Sequence, residues 1–282
     1  MSNVVVTGAG GYVGRHVVSA LADLGHDVIA TARPGSRRKI DPRARIIEVD
    51  VLAGEIDALG SFGVVPDVIV HLAWSDGFKH NARTHLEQLS AHFRFLTSMV
   101  DQGVGQIAAL GTMHEIGYWE GAIDASTPTQ PLSLYGIAKD ALRRGLEVAI
   151  GDRAVFQWLR CYYIYGDDLN NQSIFTRLLT AADEGKTTFP FTSGVNKYDF
   201  ILVEELARQI AAVASQTAVT GIINCSSGEP VSLGQQVESF IAERGLSITL
   251  EYGAFPDRSY DSPGVWGDAT VIRELMNEPT NR

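Results

Sequence analysis

The sequence predicts an α/β chain, a doubly wound parallel sheet followed by a smaller C-terminal lobe. Three observations predict it. The chain opens on a short apolar run, a glycine-rich turn and an amphipathic stretch, in the order strand, loop, helix. Strand-like and helix-like stretches then alternate five times, the pattern that builds a parallel sheet. Past residue 166 this regularity gives way to short strands mixed with helices.

The bulk numbers fit that reading. At 282 residues and 45% hydrophobic, the chain has core enough for one large domain, or one domain plus a lobe. A net charge of −10 argues against nucleic acid as a partner, because gripping a phosphate backbone takes a basic surface. The two cysteines, Cys161 and Cys225, have neither metal-ligand spacing nor the density of a disulfide framework, which suits a reducing compartment. The first strand starts almost at Met1, so no signal peptide is expected. No apolar run approaches the ~20 residues of a membrane span. A cytoplasmic protein with no membrane partner is expected.

Val4-Val5-Val6-Thr7 is the first strand, and Gly8-Ala9-Gly10-Gly11-Tyr12-Val13-Gly14 the loop. The G-x-x-G-x-x-G spacing between strand and helix reads as a dinucleotide site, with Gly8, Gly11, Tyr12, Val13 and Gly14 as cofactor-binding residues. Gly8 makes the tight turn, Gly11 admits the pyrophosphate and Gly14 lets the helix pack on the strand. Apolar Val13, Val17, Val18 and Leu21 give the helix from Tyr12 to Leu24, which Gly25 stops. Asp27 to Thr31 is the second strand. An acid at its end would bond the ribose 2′-hydroxyl of NAD, but the chain reads Ala32-Arg33 there. Arg33 therefore favours a 2′-phosphate, and NADP(H) over NAD(H). Arg45 to Val49 and Val64 to His71 hold the third and fourth strands, a helix is expected over 82–103, and Gly105 to Leu110 is the fifth strand.

Pro131 to Val148 reads as a helix carrying Tyr135 and Lys139 at i and i+4, on one face. An ammonium beside a phenol favours the phenolate and is expected to lower the tyrosine pKa. Such a tyrosine can pass a proton to or from a carbinol oxygen during hydride transfer.

Together, Thr7 to Gly14, His71-Leu72-Ala73, Thr112 to Gly117 and Tyr135 to Lys139 resemble the extended short-chain dehydrogenases/reductases, the group of nucleotide-sugar epimerases, dehydratases and reductases. Leu159 to Gly166, Tyr198 to Val203, Asn224 to Gly228 and Pro230 to Leu233 resemble further signatures of that family, so the resemblance covers nearly the whole chain. It implies a Rossmann domain at 1–166, to which 197–225 returns, and a substrate-binding lobe made of 167–196 and 226–282. It implies Thr112, Tyr135 and Lys139 as catalytic residues, with Thr112 bonding the substrate oxygen and Lys139 holding the nicotinamide ribose. Asp50 and Val51 would meet the adenine, and Leu72, Ala73 and Ile164 would line the dinucleotide site. Trp74, Met113, His114 and Tyr198 would line the substrate site. Arg258 would hold the diphosphate of a nucleoside-diphosphate sugar through its planar fork. A homodimer through the helices near 82–103 and 131–150 is also implied.

Departures from the family pattern narrow the chemistry. Family dehydratases carry Asp-Glu after the catalytic threonine; here Met113-His114 follows Thr112. His114, with an ordinary pKa near 6.5, suits proton shuttling or bonding a hydroxyl. Tyr198 replaces an arginine that often anchors the diphosphate. With the Arg33 signal, the sequence points to an NADPH-dependent 4-ketoreductase of a nucleoside-diphosphate 4-keto-6-deoxyhexose. The alternatives are a 4-epimerase that retains NAD and, in another class, a non-catalytic NADP-sensing or scaffold protein. No metal is expected.

Overall fold

The computed structural model describes residues 1–35, 39–166, 173–257 and 262–277. The first half of the chain runs β1 (Asn3–Thr7), α1 (Gly14–Asp23), β2 (Asp27–Ala32), β3 (Arg45–Glu48), α2 (Ala58–Phe62), β4 (Val68–His71), α3 (Thr84–Glu87), α4 (Leu89–Asp101), β5 (Gln106–Thr112), β6 (Gly121–Ile123) and α5 (Leu134–Ile150). It continues through β7 (Val155–Cys161), β8 (Tyr163–Tyr165), α6 (Ile174–Asp183), β9 (Thr188–Pro190), β10 (Lys197–Leu202), α7 (Val203–Ala214), β11 (Gly221–Cys225), β12 (Pro230–Ser232), α8 (Leu233–Glu243), β13 (Thr249–Glu251), β14 (Gly264–Gly267) and α9 (Thr270–Asn277).

Seven strands form one sheet in the order β11-β7-β5-β4-β1-β2-β3, and every neighbouring pair is parallel. The inner strands β1 and β4 are short and almost wholly apolar because both their faces are covered, while the edge strand β3 is mostly exposed. Successive side chains point to opposite faces. Val4 and Val6 pack with Val17, Leu21, Leu206 and Ile210 on the α1–α7 face. Val5 packs with Leu96, Met99, Leu142 and Leu146 on the α4–α5 face. The expected doubly wound Rossmann sheet is what the chain forms, and its strand order reverses between β1 and β4, where ligands bind in such sheets.

Two expected elements come out differently. The helix over 82–103 divides at Gln88, whose backbone (φ −92°, ψ −7°) has the shape of a turn. The fourth strand starts only at Val68, because Pro66 has no N–H to give a ladder.

The rest of the chain forms a second layer. The β12-β10-β14-β6 sheet, with β8 beside β10, encloses Phe175, Leu178, Phe200, Val237 and Phe240. Asp199 in β10 is wholly buried and accepts bonds from the Ser227, Gly228 and Gly267 N–H groups and the Ser227 hydroxyl, tying β10, β11 and β14 together. β11 and α7 pack on the large sheet.

Candidate active site

The site begins where β1 ends. Gly8 has φ +68°, and a Cβ there would lie 2.7 Å from the Ala73 nitrogen, so only glycine brings this turn against the β4 strand end. A Cβ on Gly14 would overlap the Gly8 carbonyl oxygen, so the first turn of α1 can press on the loop only at glycine. No side chain caps α1 at Val13. The Arg15 and His16 N–H groups bond the carbonyls of Gly11 and Val13, and a helix start that follows such a glycine turn is the arrangement that receives a pyrophosphate. Tyr12 reaches across to Gly166 at the end of β8, whose Ile164 packs against the α1–α7 core.

A polar chain fixes the floor beside the loop. The Thr7 hydroxyl accepts from the Leu72 and Ala73 N–H groups, both at 3.2 Å. It therefore donates its proton to His71 Nδ1, 2.9 Å away. His71 then carries its proton on Nε2 and donates to His92 Nδ1, also at 2.9 Å. Burial pushes both imidazoles below their ordinary pKa, His92 to about 3, so both are neutral at pH 7.

At the carboxyl end of β5, the buried Thr112 hydroxyl accepts from the His114 N–H at 3.2 Å and bonds the Tyr135 phenol. Tyr135 and Lys139 project from one face of α5, whose start is capped by Ser133. Lys139 Nζ donates to the Leu110 carbonyl at 2.6 Å. It lies 3.8 Å from the centre of the Trp74 ring and 6.0 Å from that of Tyr135. Burial pushes the phenol well above its usual range and pulls the ammonium down to about 7. The sequence leads one to expect the ammonium to lower the phenol; in the structure desolvation raises it instead.

His114 departs from expectation as well. Burial, helped by His80 with its ring centre 4.3 Å away, holds it at about 3. It offers a neutral ring that can bond a hydroxyl, with no ionisation near neutrality. Met113 is buried in the lobe core with Ile116 and Ile123. Tyr198 is buried there too, its ring centre 4.5 Å from that of Tyr163. Trp74 faces Tyr135 edge-on, with 6.0 Å between ring centres.

Asp50 closes a turn after β3 by accepting from the Leu52 N–H at 3.0 Å, and Val51 is buried beside it. Arg33 is exposed at the end of β2. Arg258 lies outside the described residues, as do Arg37 and Arg38.

Sequence reasoning singles out Glu115 beside His114 for a supporting role, but misses a pair of histidines and the Trp158 and Arg160 partners of Glu115. His85 and His92 are both buried against Trp74, and their spacing of seven on a helical stretch was the available signal. Beside the candidate site, Glu115 accepts from Arg160 Nε at 2.6 Å and from Trp158 Nε1 at 2.9 Å. Trp158 and Arg160 alternate along β7, so they share a face. Gly111 makes room for Trp158, since a side chain there would occupy the indole's place.

Known proteins resemble the chain over most of its length. Residues 4–226 match the model of the NAD dependent epimerase/dehydratase family. The chain is 43% identical over 273 residues to a dTDP-6-deoxy-L-talose 4-dehydrogenase (NAD(+)) of Aggregatibacter actinomycetemcomitans, covering 94% of this chain and 99% of that protein. It is 28% identical over 271 residues to a UDP-glucose 4-epimerase of Corynebacterium glutamicum, covering 88% and 82%. Its fold is that of the UDP-N-acetylglucosamine 4-epimerase of Methanobrevibacter ruminantium, with a TM-score of 0.83 at 20% identity over 99% of this chain and 93% of that one. On sequence and architecture together, the chain belongs to the NAD dependent epimerase/dehydratase family, among the extended short-chain dehydrogenases/reductases.

Proposed function

We propose that the protein moves a hydride to or from C4 of a 6-deoxyhexose carried on a nucleoside diphosphate, using NAD(P). One observation carries this reading: Thr112, Tyr135 and Lys139 meet at the carboxyl end of β5, beside a strand–glycine loop–helix shaped for a dinucleotide. Reduction of a 4-keto sugar, the direction the sequence favours, is the reverse of the oxidation named for the talose relative. The same geometry serves both directions, and that relative makes a dTDP-sugar the first substrate to try.

When bound, the nicotinamide supplies the hydride donor or acceptor. The chain's residues do the rest. Thr112 orients the sugar oxygen against the Tyr135 phenol. Tyr135, kept protonated by burial, gives its proton to the oxygen that develops during reduction; the phenolate this leaves is the group that takes the carbinol proton when the reaction runs in reverse. Lys139 would hold the nicotinamide ribose, and its ammonium supplies positive charge 6.0 Å from the centre of the phenol ring. Neutral His80 and His114 offer ring nitrogens for sugar hydroxyls.

For the dinucleotide, Arg33 supports NADP(H), while the talose relative is named for NAD(+). A homodimer is proposed through the α4–α5 face, where Leu86, Leu89, Phe93, Ala141 and Leu142 line an apolar groove. No helix among the described residues is long and apolar enough to cross a membrane.

The variant Tyr135→Phe tests the assignment. It is expected to lower kcat by about 10²–10⁴-fold, the worth of a positioned acid/base, while dinucleotide binding stays within about threefold. Full turnover by that variant would remove the phenol from the chemistry.

A further inference from the structure

We infer that Trp74 is the positioning residue of Lys139: its indole face holds the ammonium in place and keeps it charged, and a stack of neutral histidines holds the indole. The inference rests on the reading that Lys139 serves hydride transfer.

Lys139 is only 3% exposed, and its Nζ has three protons to place. The Leu110 carbonyl takes one of them. Glu115, the carboxylate whose charge bears on Lys139, is already engaged by Arg160 and Trp158. The π-face of Trp74 meets the ammonium at 3.8 Å. Among the aromatic side chains, tryptophan gives the strongest such attraction, and the attraction grows when the pair is withdrawn from water.

The indole cannot swing away, because both its edge and its other face are occupied. Trp74 Nε1 donates to His85 Nδ1 at 3.0 Å. His85 therefore carries its own proton on Nε2, which it donates to the Lys79 carbonyl at 3.0 Å. His92 stacks on the indole, with 4.4 Å between centres and 18° between planes. His92 is in turn held by His71, and His71 by Thr7. The platform is thus anchored to β1 and to the Leu72–Ala73 floor beside the dinucleotide loop. A residue that merely lined the sugar would have no need of this support.

Several groups bear on the charge of Lys139. Tyr135 lies on its own helix, one turn away. Glu115 and Cys161 favour the ammonium, from the turn after β5 and from β7. Arg160, also on β7, is committed to Glu115. His71 and His92, on β4 and α4, are neutral and add no charge. The indole face favours the ammonium, so its loss should make Lys139 a weaker base.

The test uses the full-length protein and compares Trp74→Phe, Trp74→Leu and Trp74→Met, with Lys139→Met as control. Phenylalanine keeps a ring face but loses the N–H donated to His85; leucine and methionine lose the face. For Leu and Met, kcat/KM is expected to fall about tenfold, and the pH limb that disappears in Lys139→Met to move about one unit toward acid. For Phe, which keeps a ring face but loses the anchor on His85, both the fall in kcat/KM and the movement of the limb should be smaller than in the aliphatic variants. Either aliphatic variant carries the result if the other does not fold. The inference is overturned if Phe is as impaired as Leu or Met with the limb unmoved, or if the aliphatic variants behave as wild type. Full activity in Lys139→Met would instead overturn the hydride-transfer reading on which the inference rests.

Discussion

Lys139 lies buried behind the carboxyl end of β5, and desolvation brings its ammonium to about 7. An unfolded lysine titrates near 10.4. Between those values the unfolded chain holds a proton that the folded one has lost, so this residue makes stability rise with pH through that window. Below about 7 both states are charged, and the full cost of the buried ammonium remains. Lys139→Met is therefore expected to melt higher than wild type at neutral pH, by about 1–3 kcal/mol, with the gain shrinking toward pH 10. Thermal melts across that range check it; parallel curves for the two proteins would contradict it. His114 teaches the complementary lesson. The spacing from Thr112 identifies it in the sequence, and its ordinary pKa suggests a shuttle. Only the fold brings His80 against it and removes it from water, which leaves it neutral.

At the scale of elements, the loop from Gly8 to Gly14 was legible because close backbone approach admits only glycine, and that constraint is written directly into sequence. The break at Gln88 was not, since no glycine or proline marks it. Nor was the buried pair joining the turn after β5 to β7, because Glu115 and Arg160 are 45 residues apart and meet only through strand register. Both are wholly buried, and Glu115 has a raised pKa, with burial the main cause and Arg160 pulling against it. Arg160→Met leaves that carboxylate without its cation and should cost about 3–5 kcal/mol in urea melts. Adding Glu115→Met should recover most of the loss, since removing a whole buried pair is far cheaper than halving it. A single variant that loses under about 1 kcal/mol would show the pair to be dispensable.

For the whole molecule, the regular alternation of strand and helix made the large sheet readable over most of its width, because each parallel strand must be followed by a crossover that covers it. The second layer was harder to read. Its β6, β8 and β12 strands are three residues long, too short for a period, and β6 pairs with β14 from the far end of the chain. The outer face of α3, α4 and α5 exposes large apolar side chains: Leu86 is 44% exposed, Phe93 37% and Val148 86%. Sedimentation is expected to return twice the 30.5 kDa protomer mass, and Phe93→Asp to halve it. A wild-type protein sedimenting as a monomer would contradict the proposed dimer.

The most direct test of hydride transfer combines the purified protein with dTDP-6-deoxy-L-talose and either NAD(+) or NADP(+), following the near-ultraviolet absorbance of reduced dinucleotide and identifying the sugar by NMR. The result expected is reduced dinucleotide released in step with a 4-keto sugar, with both lost in Tyr135→Phe. A sugar inverted at C4 with no reduced dinucleotide in solution would contradict net hydride transfer and make the protein an epimerase.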